Sequence, residues 1–122
     1  MDIHEYQAKD ILKGYGVRTA EGGLAYSPED AVQRAREIGG IARRLGGTVV
    51  VKAQIHSGAR GKAGGIKVCK THDEVSAAAE YLLGKRLVTH QTGPAGKVCG
   101  RLYVEAGAEI AQELYFCFLV DR

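Results

Sequence analysis

Residues Val49 to Lys70 read VVVKAQIHSGARGKAGGIKVCK. An apolar run is broken by one cation, Lys52, and passes into a glycine loop carrying Arg60, Gly61 and Lys62. Period-two alternation over Thr48–Ile55 predicts a strand with Val49, Val51, Ala53 and Ile55 on one face and Val50, Lys52, Gln54 and His56 on the other. A second strand is expected over Gly65–Cys69, which makes Ser57–Gly64 a hairpin connection and a natural flap. A lysine inside an apolar strand is costly unless it is paired. It can also sit at a strand end and snorkel to water. The loop by itself could be a solvated hairpin. Taken together, a strand lysine, loop cations and backbone N–H donors match the oxygens and charge of phosphate groups. The loop has neither the G-x-x-x-x-G-K-[ST] spacing nor the G-x-G-x-x-G fingerprint.

Before this stretch, a helix is expected from Ile3 to Tyr15, capped by Asp2 with Glu5 in the capping-box position and ended by Gly16. Its apolar stripe is Ala8, Ile11, Leu12 and Tyr15. Val17–Tyr26 reads as extended or irregular. A second helix starts at the Ser27 cap with Pro28 in the first turn, buries Ala31, Ala35 and Ile38, and stops at Gly39-Gly40. Ile41–Leu45 suggests one further helical turn, an insertion that lengthens a surface connection.

After it, Thr71 and Glu74 form a capping box for a third helix with the stripe Val75, Ala78, Ala79 and Leu82, ended by Gly84. Strands are expected over Arg86–Gln91, Val98–Ala106 and Glu113–Val120, with a turn at Thr92–Gly96. Tyr103 and Glu105 share a face opposite Leu102 and Val104. Glu105 and Glu113 could accept hydrogen bonds from an amine or from ribose hydroxyls. Glutamates at strand ends are also commonly just exposed. Because an interior strand closes the chain at Asp121-Arg122, the sequence is expected to be part of a longer protein.

The 122 residues suffice for one modest domain. A net charge of +3, with basic residues scattered outside the loop, argues against a nucleic-acid partner. No apolar run is long enough to span a membrane, and Met1–Gly16 is charged and amphipathic rather than a secretory signal. Cys69, Cys99 and Cys117 lie among apolar neighbours without zinc-type spacing, so buried reduced thiols are expected. Of the four histidines, only His56 shares the Lys52 face; His4, His72 and His90 read as surface residues.

The segments MDIHEYQAKDIL, VVVKAQIHSGARGKAGGIKV, LLGKRLVTHQT and LYVEAGAEIAQELYF together resemble the amino-terminal part of the beta subunit of succinate–CoA ligase (ADP-forming), an ATP-grasp enzyme. Malate–CoA ligase beta subunits share these motifs. The resemblance covers essentially all of residues 1–122 and only the front of the family's chain. It implies an α/β fold, the amino-terminal part of an ATP-grasp domain with a mixed sheet flanked by helices. It implies binding of ATP or GTP with Mg2+, whose ligands are expected beyond Arg122. It also implies an alpha-subunit partner that carries the phosphorylated histidine and the CoA site, so none of the four histidines here would be that acceptor. By the same resemblance, Lys52 is the phosphate-binding lysine, Ala59, Arg60 and Gly61 form the loop over the nucleotide, Glu105 and Ala108 lie beside the adenine, and Glu113 holds the ribose. Many members have Gly where this chain has Ala59. The family setting is the tricarboxylic acid cycle, in the cytoplasm or, for an organellar precursor, the mitochondrial matrix. A non-enzymatic nucleotide-binding or interaction module is the alternative from another class.

Overall fold

In the computed structural model, which describes residues 2–39 and 47–121, two side-chain caps start the helices that cover the sheet. Ser27 Oγ accepts the Asp30 N–H at 3.0 Å, and α2 follows over Pro28–Ile38 with Gly39 closing it at φ 65°. Thr71 Oγ1 accepts the Glu74 N–H at 3.1 Å, and α3 runs over His72–Leu82. The stripes read from the sequence are the buried ones: Ala31, Ala35 and Ile38 in α2, and Val75, Ala78, Ala79 and Leu82 in α3. Ile41–Leu45, where a further turn was expected, lies outside the described residues.

Four strands form one sheet: β1 (Gly22–Ala25), β2 (Val49–Ala53), β3 (Ile66–Cys69) and β6 (Leu102–Ala106), in the order β1-β6-β2-β3. Each neighbouring pair is antiparallel. A separate two-stranded ribbon joins β4 (Arg86–Leu87) to β5 (Lys97–Val98). The strand expected over Arg86–Gln91 is therefore cut short at Leu87. The one expected over Val98–Ala106 is split in two, because Cys99 pairs with Lys85 and Gly84 as a loop before β6 begins.

Alternation gives the sheet two chemically different faces. Val49, Val51, Ala53, Leu102 and Val104 are fully buried in the core with α2 and α3. Truncating one such large side chain, Leu102 for example, costs about 2–5 kcal/mol. The opposite face carries Lys52, Gln54, Tyr103 and Glu105.

The first helix, α1, spans Glu5–Gly14. It starts later than expected: His4, not Asp2, is the N-cap, and Gln7 Oε1 accepts the His4 N–H at 2.8 Å. Its orientation also corrects the sequence reading. Ile11, Leu12 and Tyr15 are exposed and α1 buries no residue of its own. Glu5 and Lys9, one turn apart on its polar side, meet the sheet instead. Charge complementarity with the polar sheet face decides which side of α1 turns inward.

The interior strand expected over Glu113–Val120 does not form, and residues 108–121 are exposed. Phe116, Phe118 and Val120 lie open to solvent. An apolar run becomes a strand only beside a partner with free N–H and C=O groups, and no described strand pairs with it. Cys117 is consequently exposed, whereas Cys69 and Cys99 are buried thiols as expected.

Candidate functional site

Lys52 and Glu105 sit on adjacent strands. The register pairs Val50 with Glu105 and Lys52 with Tyr103, so Lys52 and Glu105 are diagonal neighbours on one face, within reach for long side chains. Their side chains form an ion pair. Glu105 is buried, at 6% exposure, not the open strand-end carboxylate that spacing suggested. The loop delivers a second cation from the side. Arg60 donates from Nη1 to the Ala53 carbonyl at 2.7 Å and from Nη2 to Glu5 Oε2 at 2.6 Å.

Helix α1 closes the cluster. Glu5 Oε1 lies 3.0 Å from both Lys52 Nζ and Lys9 Nζ, and Lys9 also pairs with Glu105. Three cations thus share two carboxylates in a partly desolvated space, and pairing is what makes burial of these charges affordable. Burial alone pushes the Glu5 carboxyl up. The Arg60 and Lys52 charges, with hydrogen bonds from Arg60 and Lys9, outweigh it and hold the carboxyl at about 2. For Lys9, burial works against the charge, and hydrogen bonds to Glu105 and Glu5 reverse the balance and raise its pKa. Gln54 joins α1 to the strand: its Oε1 accepts the Tyr6 N–H at 3.2 Å.

The loop base is fixed by buried hydroxyls. Ser57 Oγ and Thr89 Oγ1 are 2.5 Å apart, and Gly58 N–H donates to Gln91 Oε1 at 2.6 Å. Within the loop, Gly65 N–H donates to the Arg60 carbonyl at 2.8 Å. Ala59 holds φ 56°, left-handed backbone that a glycine adopts without cost. Gly61 and Lys62 are exposed on the outer side.

The structure therefore gathers Lys52, Arg60 and Glu105, with Ala59 and Gly61 beside Arg60 in the loop. It does not gather Ala108 and Glu113, which lie exposed after β6. Sequence reading missed Glu5 and Lys9 as members of the cluster. The signal was their i, i+4 spacing of opposite charges, overshadowed by the apolar residues on the other side of the helix. His4 also departs from a plain surface reading, since its ring lies 3.9 Å from that of His56. Both line a cavity of about 280 Å³ with Gln54, Lys97 and Arg101. Among the described residues, no group of three or more His, Cys, Asp or Glu side chains could hold a metal ion.

The sequence profile of the ATP-grasp domain matches residues 2–122. Over all 122 residues the chain is 62% identical to a protein of Mesorhizobium japonicum named "Probable malate--CoA ligase subunit beta", covering 29% of it. It is 54% identical to the succinate–CoA ligase [ADP-forming] subunit beta of Bdellovibrio bacteriovorus and 52% identical to that of Bacillus subtilis, covering 30% of each. The chain thus spans under a third of the length of these relatives. Among solved structures, it is similar to the dinucleotide-forming acetyl-coenzyme A synthetase 1 of Ca. Korarchaeum cryptofilum in complex with coenzyme A, Ca-AMPCP and HgCl+. There the identity is 26% and the TM-score 0.60, over 88% of this chain and 43% of that one.

Proposed function

Because the chain belongs to the ATP-grasp family, we propose that it is the nucleotide-gripping part of the beta subunit of an ADP-forming succinate–CoA ligase. The whole assembly joins succinate to coenzyme A at the expense of ATP, releasing ADP and phosphate, as a step of the tricarboxylic acid cycle in the cytoplasm, or in the mitochondrial matrix for an organellar form. The observation that carries the reading is the convergence of Lys52 from the strand and Arg60 from the loop on one carboxylate, that of Glu5.

Lys52 and Arg60 neutralise the phosphate oxygens, and the loop at Ala59, Arg60 and Gly61 covers them; this is positioning and charge compensation rather than covalent chemistry. Glu105 orients Lys52 from within the sheet and, with Ala108, borders the adenine, while Glu113 takes the ribose. Ala108 and Glu113 reach their roles only if the segment after β6 folds over the nucleotide. ATP or GTP fits the cation pair. Mg2+ would travel with the nucleotide, but the described residues offer it no ligand set, and none is assigned to this chain. The alpha subunit supplies the phosphorylated histidine and the CoA site.

Calorimetric titration of the chain with ATP tests the grip. The expected result is saturable binding that weakens at least tenfold in Lys52→Ala; equal binding by both proteins overturns the reading. Malate–CoA ligase is the second reading, favoured by the 62% identity to the Mesorhizobium japonicum protein. Comparing succinate with malate in the chain's full-length parent, assembled with its alpha subunit, decides between them.

A further inference from the structure

Glu5 bridges Lys52 and Arg60, the two cations read as phosphate-binding. Its two carboxylate oxygens lie 3.0 Å from Lys52 Nζ and 2.6 Å from Arg60 Nη2, the hydrogen-bonded distances at which those cations would meet a phosphate. The helix that brings it there is fastened by polar contacts. Besides the ion pairs of Glu5 and Lys9, Tyr6 N–H donates to Gln54 and Arg101 Nη1 donates to Tyr6 Oη at 3.2 Å. The apolar side chains of α1 add little to the attachment: none is fully buried, and Ile11, Leu12 and Tyr15 are exposed. A helix held mainly by charges, with no fully buried apolar side chain of its own, is the kind of element that a competing polyanion can lift.

We infer that Glu5 is a built-in competitor for the nucleotide: α1 is a strap whose carboxylate holds Lys52 and Arg60 when no nucleotide is bound, and the phosphates displace it on binding. The inference rests on the reading of Lys52 and Arg60 as phosphate-binding cations. The strap keeps two desolvated cations paired in the empty state, which their burial requires. It also lowers nucleotide affinity by the free energy of its own contact, since a ligand sees only the fraction of protein in which the cations are released. Lys9 leaves with Glu5 when α1 lifts, so the strap departs as a near-neutral pair. Glu105 remains behind to orient Lys52.

The test is titration of wild type and Glu5→Gln with ATP and with inorganic tripolyphosphate, which carries the charge without the base. The expected result is at least tenfold tighter binding of both ligands by Glu5→Gln, equivalent to about 1.4 kcal/mol or more. Unchanged or weaker binding by folded Glu5→Gln, with wild-type binding still lost in Lys52→Ala, overturns the strap and leaves the nucleotide reading intact. Absence of binding in both proteins overturns the nucleotide reading, and the strap with it. Should Glu5→Gln fail to fold, amide NMR of the wild type decides. Tripolyphosphate is expected to shift the Glu5–Lys9 amides together with those of Arg60–Lys62. Loop shifts with an unperturbed α1 overturn the strap.

Discussion

Glu5 and Arg60 stand 55 positions apart in the chain, and their side chains meet at 2.6 Å. The contact ties the first helix to the glycine loop through one carboxylate, which also pairs with Lys52 and Lys9. Glu5 is thus the carboxylate that joins helix to loop, while Glu105 holds the two lysines from the sheet side.

Acid should loosen it in a defined window. The Glu5 carboxyl titrates at about 2 in the folded chain, below its ordinary 4.5. Between these values the unfolded chain binds more protons, so stability rises with pH there and is lost as pH falls toward 2. After discounting for solvent screening, the contribution is about 2 kcal/mol. Urea unfolding followed at pH 6 and pH 3 should show this loss in the wild type and a smaller one in Glu5→Gln. Parallel losses in the two proteins would assign the acid sensitivity elsewhere.

Ala59 is the non-glycine residue held at positive φ among the described residues. A β-branched side chain tolerates that conformation poorly. Ala59→Val is expected to lose about 1–2 kcal/mol, while Ala59→Gly should be neutral or gain up to about 1 kcal/mol, the relief of strain being partly offset by the greater freedom of glycine in the unfolded chain. Thermal melts of the two variants give the order directly.

Tyr103 presses its ring on β1: a Cβ added at Gly22 would stand 2.5 Å from the ring carbon and hydroxyl. Gly22→Ala should cost about 1–3 kcal/mol through forced displacement. The Tyr103 hydroxyl itself is buried with no hydrogen-bond partner. Removing an unsatisfied buried donor is nearly neutral or favourable, so Tyr103→Phe should match wild type or exceed it by up to about 1 kcal/mol. Chemical denaturation of both variants separates the steric effect from the polar one.

The Ser57–Thr89 hydroxyl pair anchors the foot of the cationic loop. Thr89 Oγ1 also accepts the N–H groups of Gln91 and Thr92. Thr89→Val keeps the shape and removes the hydroxyl partner of Ser57 and the acceptor of Gln91 N–H, while Thr92 N–H retains the Thr89 carbonyl, at a cost of about 1–3 kcal/mol. Hydrogen exchange should quicken at residues 57–65 as well as at 89–92. Quickening confined to 89–92 would show that the loop is held from elsewhere.

Local rules accounted for much of the architecture. Ser27 followed by Pro28, and Thr71 with Glu74 three positions on, were enough to declare two helix starts, and Val49–Ala53 declared its buried face by alternation alone. The polar corner was harder to read. Ala8, Ile11, Leu12 and Tyr15 form a convincing apolar stripe, yet α1 turns Glu5 and Lys9 inward, because the partner surface offers Lys52 and Glu105 rather than a greasy groove. Nothing within α1 specifies its partner. The run from Glu113 to Val120 failed for the related reason that apolarity announces a wish for burial without naming the neighbour that would supply it. Lys52 and Arg60 were readable as a pair because loop and strand are adjacent in sequence, whereas the burial of Glu105 follows from cross-strand register, which a single strand cannot reveal.

The order β1-β6-β2-β3 has a consequence for biogenesis. The strand that bridges β1 to β2 is the last of the four to leave the ribosome. Until Leu102–Ala106 emerges, β1 has no neighbour among these strands, and the nascent chain carries the β2–β3 hairpin with the β2 edge still uncovered. Such late, long-range closure slows folding and leaves unpaired edges open to wrong partners. Translation pauses before β6 should therefore favour misassociation, and pauses after it should not.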